Sequence, residues 1–468
     1  MRKVEVHKAA SGWANQVSFA NGPTPFAFVP REIVVAGARG RDLAAELFNR
    51  RFAGFEPVFD GRDDGPGQYF VTRIAADDDV RRAIDDLRLE GVAAQPNHVL
   101  FAHGDCCCGP HPADRWQSCV AGSPVHGSPV YGSPVHGSPV YGSSVSASPV
   151  YGSPVYGSPV YGSPVYGSPV YGSPVYGSPV YGSPASQSGH RRSSAAPADA
   201  PITPVRHAPA GALVPRIAIL DTGLARKGLR PNALDFVQHA STGWAEGPDD
   251  DGDDFLDPAA GHGTFIAGLI DLLTPGCDLT AERVLSNYGA GDEVAIAQRI
   301  DAIDADLLNL SFGGYALDHM DVLAAAIHGA QQKGTVVVAS AGNDGICRPS
   351  LPAAFPDVVS VAALGPYGPA RFSNYGPWVR ACAPGVDIVS RFFTKFDGKE
   401  VAPAGGIDPD KFASWARWSG TSFSGPIVVA ALARELQLGL TTAEAVERVI
   451  DAPGLLRIPD FGTVVNVQ

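Results

Sequence analysis

Two stretches of the chain carry periodic apolar patterns, and a long stretch between them carries none. In the first, EIVV at 32–35 is dense in strand formers, and Leu43, Leu47, Phe48 and Phe52 follow at helical spacing. QYFVTRI at 68–74 predicts another strand. Val80, Ala83, Ile84 and Leu87 then line one face of a second helix, and HVLFA at 98–102 predicts a closing strand. With FEPVF at 55–59 as the second strand, residues 31–103 read β-α-β-β-α-β, the ferredoxin-like order. Many small domains share that order, so it does not by itself name a function. Residues 1–30 precede it as an N-terminal extension.

The second patterned stretch, 212–468, is of another kind. RIAIL at 216–220, LLNLSF at 307–312, TVVVAS at 335–340 and VVSVAA at 358–363 are short runs of Val, Ile, Leu and Ala. Helical spacing appears between several of them, near 294–303 and 320–332. Buried strands alternating with helices predict a mostly parallel sheet covered on both faces, an α/β fold. About 250 residues is ample for one such core.

Between the two lies a segment rich in cysteine, 104–121, with Cys106, Cys107, Cys108 and Cys119, and then a linker, 122–211. The linker is built on a five-residue unit, Gly-Ser-Pro-Val followed by Tyr or His. Proline in all but one of the units blocks regular helix, and the apolar surface is too small to offset the entropy of ordering. A coil of this kind about 60 residues long spans roughly 40–45 Å r.m.s.. That is slack enough for the N-terminal unit to reach across a globular domain. Nine of the fourteen tyrosines sit in Val-Tyr-Gly triplets between Tyr131 and Tyr181. The array reads either as an expanded, tolerated spacer or as a sequence that a modifying enzyme recognises. In the second case it is similar to the X-Tyr-Gly sites of radical S-adenosylmethionine spliceases.

A net charge of −13 argues against nucleic acid or an anionic membrane as partner, because both call for a basic surface. No run reaches the roughly 18 apolar residues of a membrane helix, and the N-terminus lacks the apolar core of a secretory signal. Seven cysteines, three of them adjacent, do not fit a disulfide framework. The expected compartment is the cytoplasm, with export by a nonstandard route as the alternative.

Four motifs in 212–468 bear on chemistry. AILDTG puts Asp221 at the end of a buried strand, where open α/β sheets build their sites, although an Asp there also serves simply to end a strand. GHGTFIAGLI sets His262 between glycines at the start of a helical run. Those glycines let backbone approach a substrate, and the histidine suits general-base work or merely caps the helix. SGTSFSGPIVVAALA puts Ser422 on a turn before a helix, with Pro426 expected in the first turn. A serine there is either a cap or a nucleophile lying beside backbone N–H groups aimed at an oxyanion. VVVASAGND ends a strand with Asn343, whose amide is one more donor for that oxyanion. The order Asp, His, Ser is that of subtilisin.

On these motifs, residues 212–458 resemble the subtilase family. The resemblance implies a three-layer α/β/α fold with a mostly parallel sheet, and a serine endopeptidase needing no cofactor for catalysis. Ser422 would attack the scissile carbonyl, His262 would carry the proton, and Asp221 would orient the imidazole. Asn343 and the Ser422 N–H would hold the oxyanion. The resemblance also makes Ser311, Phe312, Gly313 and Gly314 an edge that pairs with substrate backbone. Ser340, Ala341 and Gly342 would line the adjoining specificity pocket. The N-terminal unit would be a prodomain that assists folding and inhibits the site in cis.

The chain departs from the family in having Phe265 where many members carry a second histidine, and Ser424 and Ile427 in place of Ala and His around Pro426. Residues 392–417 read as an insertion near the nucleophile. The acidic run GPDDDGDD at 247–254, with Asp257 beyond, offers carboxylates of the kind with which many subtilases bind Ca2+. Its spacing is not that of an EF-hand loop, and a solvated acidic loop is the simpler reading. Cys106, Cys107, Cys108 and Cys119, with His103 and His111, lack paired metal-finger spacing, and free or modified thiols are expected. The expected partners are a peptide or protein substrate and the chain's own N-terminal unit. Two other classes remain: a precursor whose Val-Tyr-Gly repeats are the product, and a silent binding protein, against which the intact triad argues.

Overall fold

The computed structural model describes residues 17–20, 26–51, 59–62, 68–74, 79–102, 111–112, 208, 211–225, 246–250, 252, 256–393, 396–397, 411–412 and 414–466. The repeat array and Cys106, Cys107, Cys108 and Cys119 lie outside them.

The N-terminal unit runs β1 (Ser18–Ala20), β2 (Phe26–Ala36), α1 (Gly37–Arg51), β3 (Phe59–Arg62), β4 (Tyr69–Arg73), α2 (Val80–Leu89) and β5 (Ala94–Ala102). Strands β5, β2, β4 and β3 lie side by side in that order, each pair antiparallel, with β1 added to β2. Both helices cover one face, where Phe48, Ala83, Ile84 and Leu87 pack with Ile33, Val35, Phe70 and Ile74. The Asp79 carboxylate starts α2 by accepting the N–H groups of Arg81 and Arg82.

Three boundaries differ from the sequence expectation, one of them the start of β5 at Ala94 rather than at residue 98. β2 begins at Phe26, ahead of residue 31, because Pro30 and Arg31 bend the strand without ending it. Arg31 takes φ 69°, and the register against β5 shifts between Phe28 and Ile33, a local bulge. The second strand is Phe59–Arg62 rather than 55–59.

The remainder runs β6 (His111–Pro112), β7 (Arg216–Asp221), α3 (His262–Leu273), β8 (Asp278–Arg283), β9 (Ala290–Asp292), α4 (Glu293–Asp301), β10 (Leu307–Leu310), β11 (Phe312–Gly313), α5 (Asp321–Gln332), β12 (Val336–Ser340), β13 (Val359–Gly365), β14 (Gly368–Pro369), β15 (Ala381–Pro384), β16 (Ile388–Arg391), β17 (Phe396–Asp397), β18 (Lys411–Phe412), β19 (Trp415–Trp418), α6 (Thr421–Gln437), α7 (Thr442–Val446), β20 (Arg457–Ile458) and β21 (Gly462–Val464). The main sheet has the order β20-β21-β15-β13-β12-β10-β7-β8, parallel from β21 to β8 with β20 antiparallel at the edge.

Alternation along the strands builds two cores. Ile217, Ile219, Val338, Val359 and Val361 face α3 and α6, while Ala218, Leu220, Leu308, Leu310, Val337 and Ala339 face α4 and α5. A sheet apolar on both faces and covered by helices on both is the three-layer α/β/α arrangement. No described helix is long and apolar enough to cross a membrane.

Candidate active site

The carboxyl ends of the central parallel strands converge on one place. Asp221 is the last residue of β7, Ser311 follows β10, Asn343 lies just past β12, and α3 and α6 start beside them. Asp221 and His262 are both buried, and His262 Nδ1 lies 2.7 Å from Asp221 Oδ1. Oδ1 also accepts the Thr222 N–H at 2.8 Å, so the carboxylate is held from two sides.

Two glycines beside His262 serve chain packing rather than approach to a substrate. Gly261 takes φ +81°, and a Cβ there would fall 2.0 Å from the Phe392 ring. A Cβ on Gly263 would fall 2.3 Å from the Gly223 carbonyl oxygen.

Ser422 is the second residue of α6. Pro426 stands in the second turn rather than the first, because the helix begins at Thr421. Lacking an N–H, it cannot donate to the Ser422 carbonyl four residues back. Ser311 Oγ fills that gap at 2.9 Å, itself accepting from Asn309 Nδ2 at 2.9 Å. Ser422 Oγ in turn donates to the Ser311 carbonyl at 3.2 Å. His262 Nε2 is buried without a hydrogen-bond partner among the described residues. Asn343 Oδ1 accepts from the N–H and the hydroxyl of Thr421, each at 2.9 Å. That fixes the amide with its donor end turned away from Thr421.

The histidine's other walls are aromatic. Trp418 meets the His262 ring edge-on at 5.4 Å, Phe423 lies at 5.3 Å, and Phe265 packs against both. Behind Asp221 sits a fully buried carboxylate, Glu246, which sequence reading passed over. Its Oε1 accepts the Thr222 hydroxyl at 2.5 Å and the Gly261 N–H at 2.6 Å, and its Oε2 accepts the Thr264 hydroxyl at 2.7 Å. Burial is the largest cause that pushes this carboxyl up to about 7, with nearby Asp221 adding to it.

The edge formed by Phe312 and Gly313 is occupied by the chain itself. β5 lies between β9 and β11, antiparallel to both, with Phe101 opposite Ala290 on one side and Gly313 on the other. Two polar side chains of β5 cap the helices that follow. Gln95 Oε1 accepts the Asp321 N–H of α5 at 3.0 Å, and Asn97 Oδ1 accepts the Val294 N–H of α4 at 3.4 Å. Buried Glu293 accepts Gln95 Nε2 at 2.9 Å on each oxygen and meets His98 Nδ1 at 2.7 Å. Farther along, β6 pairs with β19, His111 opposite Arg417, just ahead of the Ser422 turn.

Ser340 and Ala341 are buried at the end of β12, and Gly342 follows with φ +108° and its N–H on Thr421 Oγ1. Gly314 bridges to Leu351. In the acidic run, Asp250 pairs with Arg283, and Asp257 accepts from Asn287 and the Asp250 N–H. Among the described residues no group of His, Cys, Asp or Glu is gathered as for a metal ion. Cys277 and Cys382 are buried free thiols and Cys347 an exposed one.

The model of the subtilase family matches residues 215–451, just over half of the chain. This chain belongs to the subtilase family. Among relatives of this subtilase, the thermophilic serine proteinase of Bacillus sp. (strain AK1) is 41% identical over 143 residues, 28% of this chain and 35% of that protein. Thermitase of Thermoactinomyces vulgaris is 34% identical over 199 residues, 38% of this chain and 66% of that protein. The chain thus spans from about a third to just under two thirds of these relatives' length. A solved cold adapted subtilisin-like serine proteinase is 24% identical, covers 54% of this chain and 88% of its own, and gives a TM-score of 0.40.

Proposed function

We propose that this subtilase is a serine endopeptidase whose nucleophile is Ser422, with His262 as general base and Asp221 as its orienting carboxylate. The observation that carries the reading is the buried Asp221 Oδ1 to His262 Nδ1 contact of 2.7 Å at the carboxyl ends of the strands, next to a serine in the first turn of α6. With Nδ1–H donated to Asp221, His262 keeps Nε2 as the base. For attack, the Ser422 hydroxyl turns from the Ser311 carbonyl to Nε2, a change of one side-chain torsion. The alkoxide attacks the scissile carbonyl, and the new oxyanion takes hydrogen bonds from the Ser422 N–H and Asn343 Nδ2. His262 then hands the proton to the leaving amine, and water resolves the acyl-enzyme. The substrate is a peptide or protein strand lying where β5 lies, between β9 and β11.

In the intact chain that place is already taken, so the same reading makes the N-terminal unit an inhibitor in cis. The test is fluorophosphonate labelling of the purified chain followed by peptide mapping. Label on Ser422, lost in Ser422→Ala with the thermal transition unchanged, is the expected result. Label on another serine overturns the assignment.

A further inference from the structure

Glu246 has no place in the mechanism above, yet it is buried two hydrogen bonds from the orienting carboxylate. We propose that Glu246 is a positioning residue for the Asp221–His262 pair, acting through the single hydroxyl proton of Thr222. The proposal rests on the catalytic reading of that pair.

Thr222 Oγ1 lies between two carboxylates, 2.5 Å from Glu246 Oε1 and 3.2 Å from Asp221 Oδ1, and has one proton to give. Its lone pairs face the Gly263 N–H, which donates at 2.9 Å. With Glu246 ionised, the Thr222 proton goes to Glu246. Asp221 Oδ1 is then left with two donors, the Thr222 N–H and His262 Nδ1–H. When Glu246 takes up a proton on Oε1, that oxygen becomes the donor to Thr222 Oγ1, and the Thr222 hydroxyl swings its own proton to Asp221 Oδ1. No proton changes its heavy atom in the second half of this exchange. Asp221 now shares Oδ1 among three donors, and a buried negative charge behind it is gone. Both changes weaken its hold on the His262 Nδ1 proton, so the two effects add.

The surroundings favour the exchange near neutral pH. Among the described residues, the hydrogen bonds that reach Glu246 come from neutral donors, namely the hydroxyls of Thr222 and Thr264 and the Gly261 N–H. The charged neighbour facing it, again among the described residues, is Asp221 on β7, and the titratable group beyond is His262 on α3. Nearby Asp249, Asp250 and Asp257 are engaged with Gly252, Arg283 and Asn287 respectively. Desolvation and the Asp221 charge both hold the Glu246 proton on, whereas its hydrogen bonds favour release. Groups coupled in this way titrate as a set, so a proton on Glu246 must register at His262.

The test needs no turnover, so it stands apart from the labelling test of Ser422. In the full chain carrying Ser422→Ala, with 15N in histidine and 13C in glutamate carboxyls, ring signals of His262 are followed with pH. Two inflections are expected at His262, one coinciding with the Glu246 carboxyl carbon. Glu246→Gln, which keeps the side-chain shape, is expected to remove that inflection. Thr222→Val is expected to leave the Glu246 titration and abolish its appearance at His262. A single inflection at His262 in the Ser422→Ala chain, with Glu246 titrating unseen by the ring, overturns the proposal. So does a second inflection that persists in Glu246→Gln. The measurement on the Ser422→Ala chain decides even where a substitution at 246 fails to fold.

Discussion

Pro426 leaves the helix that carries Ser422 one donor short, and the missing bond is what ties Ser311 to the Ser422 backbone. The sequence displayed Asp221, His262, Ser422 and Asn343 because each sits in a local motif at the end of a strand or the start of a helix. It did not display what Ser311 does, since that role depends on a backbone carbonyl 111 positions away. Glu246 was hidden for the same reason. It stands one residue ahead of the acidic run with no motif around it, and only the folded chain buries it behind Thr222. The aromatic walls Trp418 and Phe423 share this origin, although Phe265 in place of a histidine was a visible hint of an apolar setting. At this scale the oxyanion assignment is sharply testable. Asn343→Ala should lower kcat by about 10²–10³ with little change in KM, as expected for a donor used only in the transition state. Equal losses in binding and turnover would place Asn343 elsewhere.

Among elements, β5 does the most. The apolar run HVLFA announced a strand, but not that the polar residues of β5 face another part of the chain. Gln95, Asn97 and His98 are all buried, a break in the period-two rule that only a second surface explains. That surface is the pair of helix starts at α4 and α5. α5 has no side-chain cap of its own, and Gln95 supplies one. Removing Gln95 and His98 leaves Glu293 buried and stripped of both side-chain partners, and hydrogen bonds to charged groups are worth about 1.5–3 kcal/mol each. The double variant Gln95→Ala with His98→Ala should therefore loosen β5 and raise the rate of fluorophosphonate labelling at Ser422 about tenfold or more. An unchanged rate would mean that β5 does not restrict the site.

For the whole molecule, the alternation of apolar strands and helices was enough to read the three layers, because a sheet buried on both faces must be continuous in Val, Ile, Leu and Ala. What the pattern lacked was the relation of the N-terminal unit to the rest. Strand β5 belongs at once to its own sheet and to the edges β9 and β11, and such pairing leaves no local trace. Its two memberships have a consequence in mass action. While the backbone is whole, the unit remains beside β9 and β11 at a fixed local concentration, whatever the volume around it. Once the backbone is broken anywhere between Ala102 and Arg216, the same contacts become those of two separate molecules. With the unit acting as the inhibitor proposed above, dilution alone then becomes the activating signal. Peptidase activity per molecule of a nicked preparation should climb as it is diluted, while that of the uncut chain stays level.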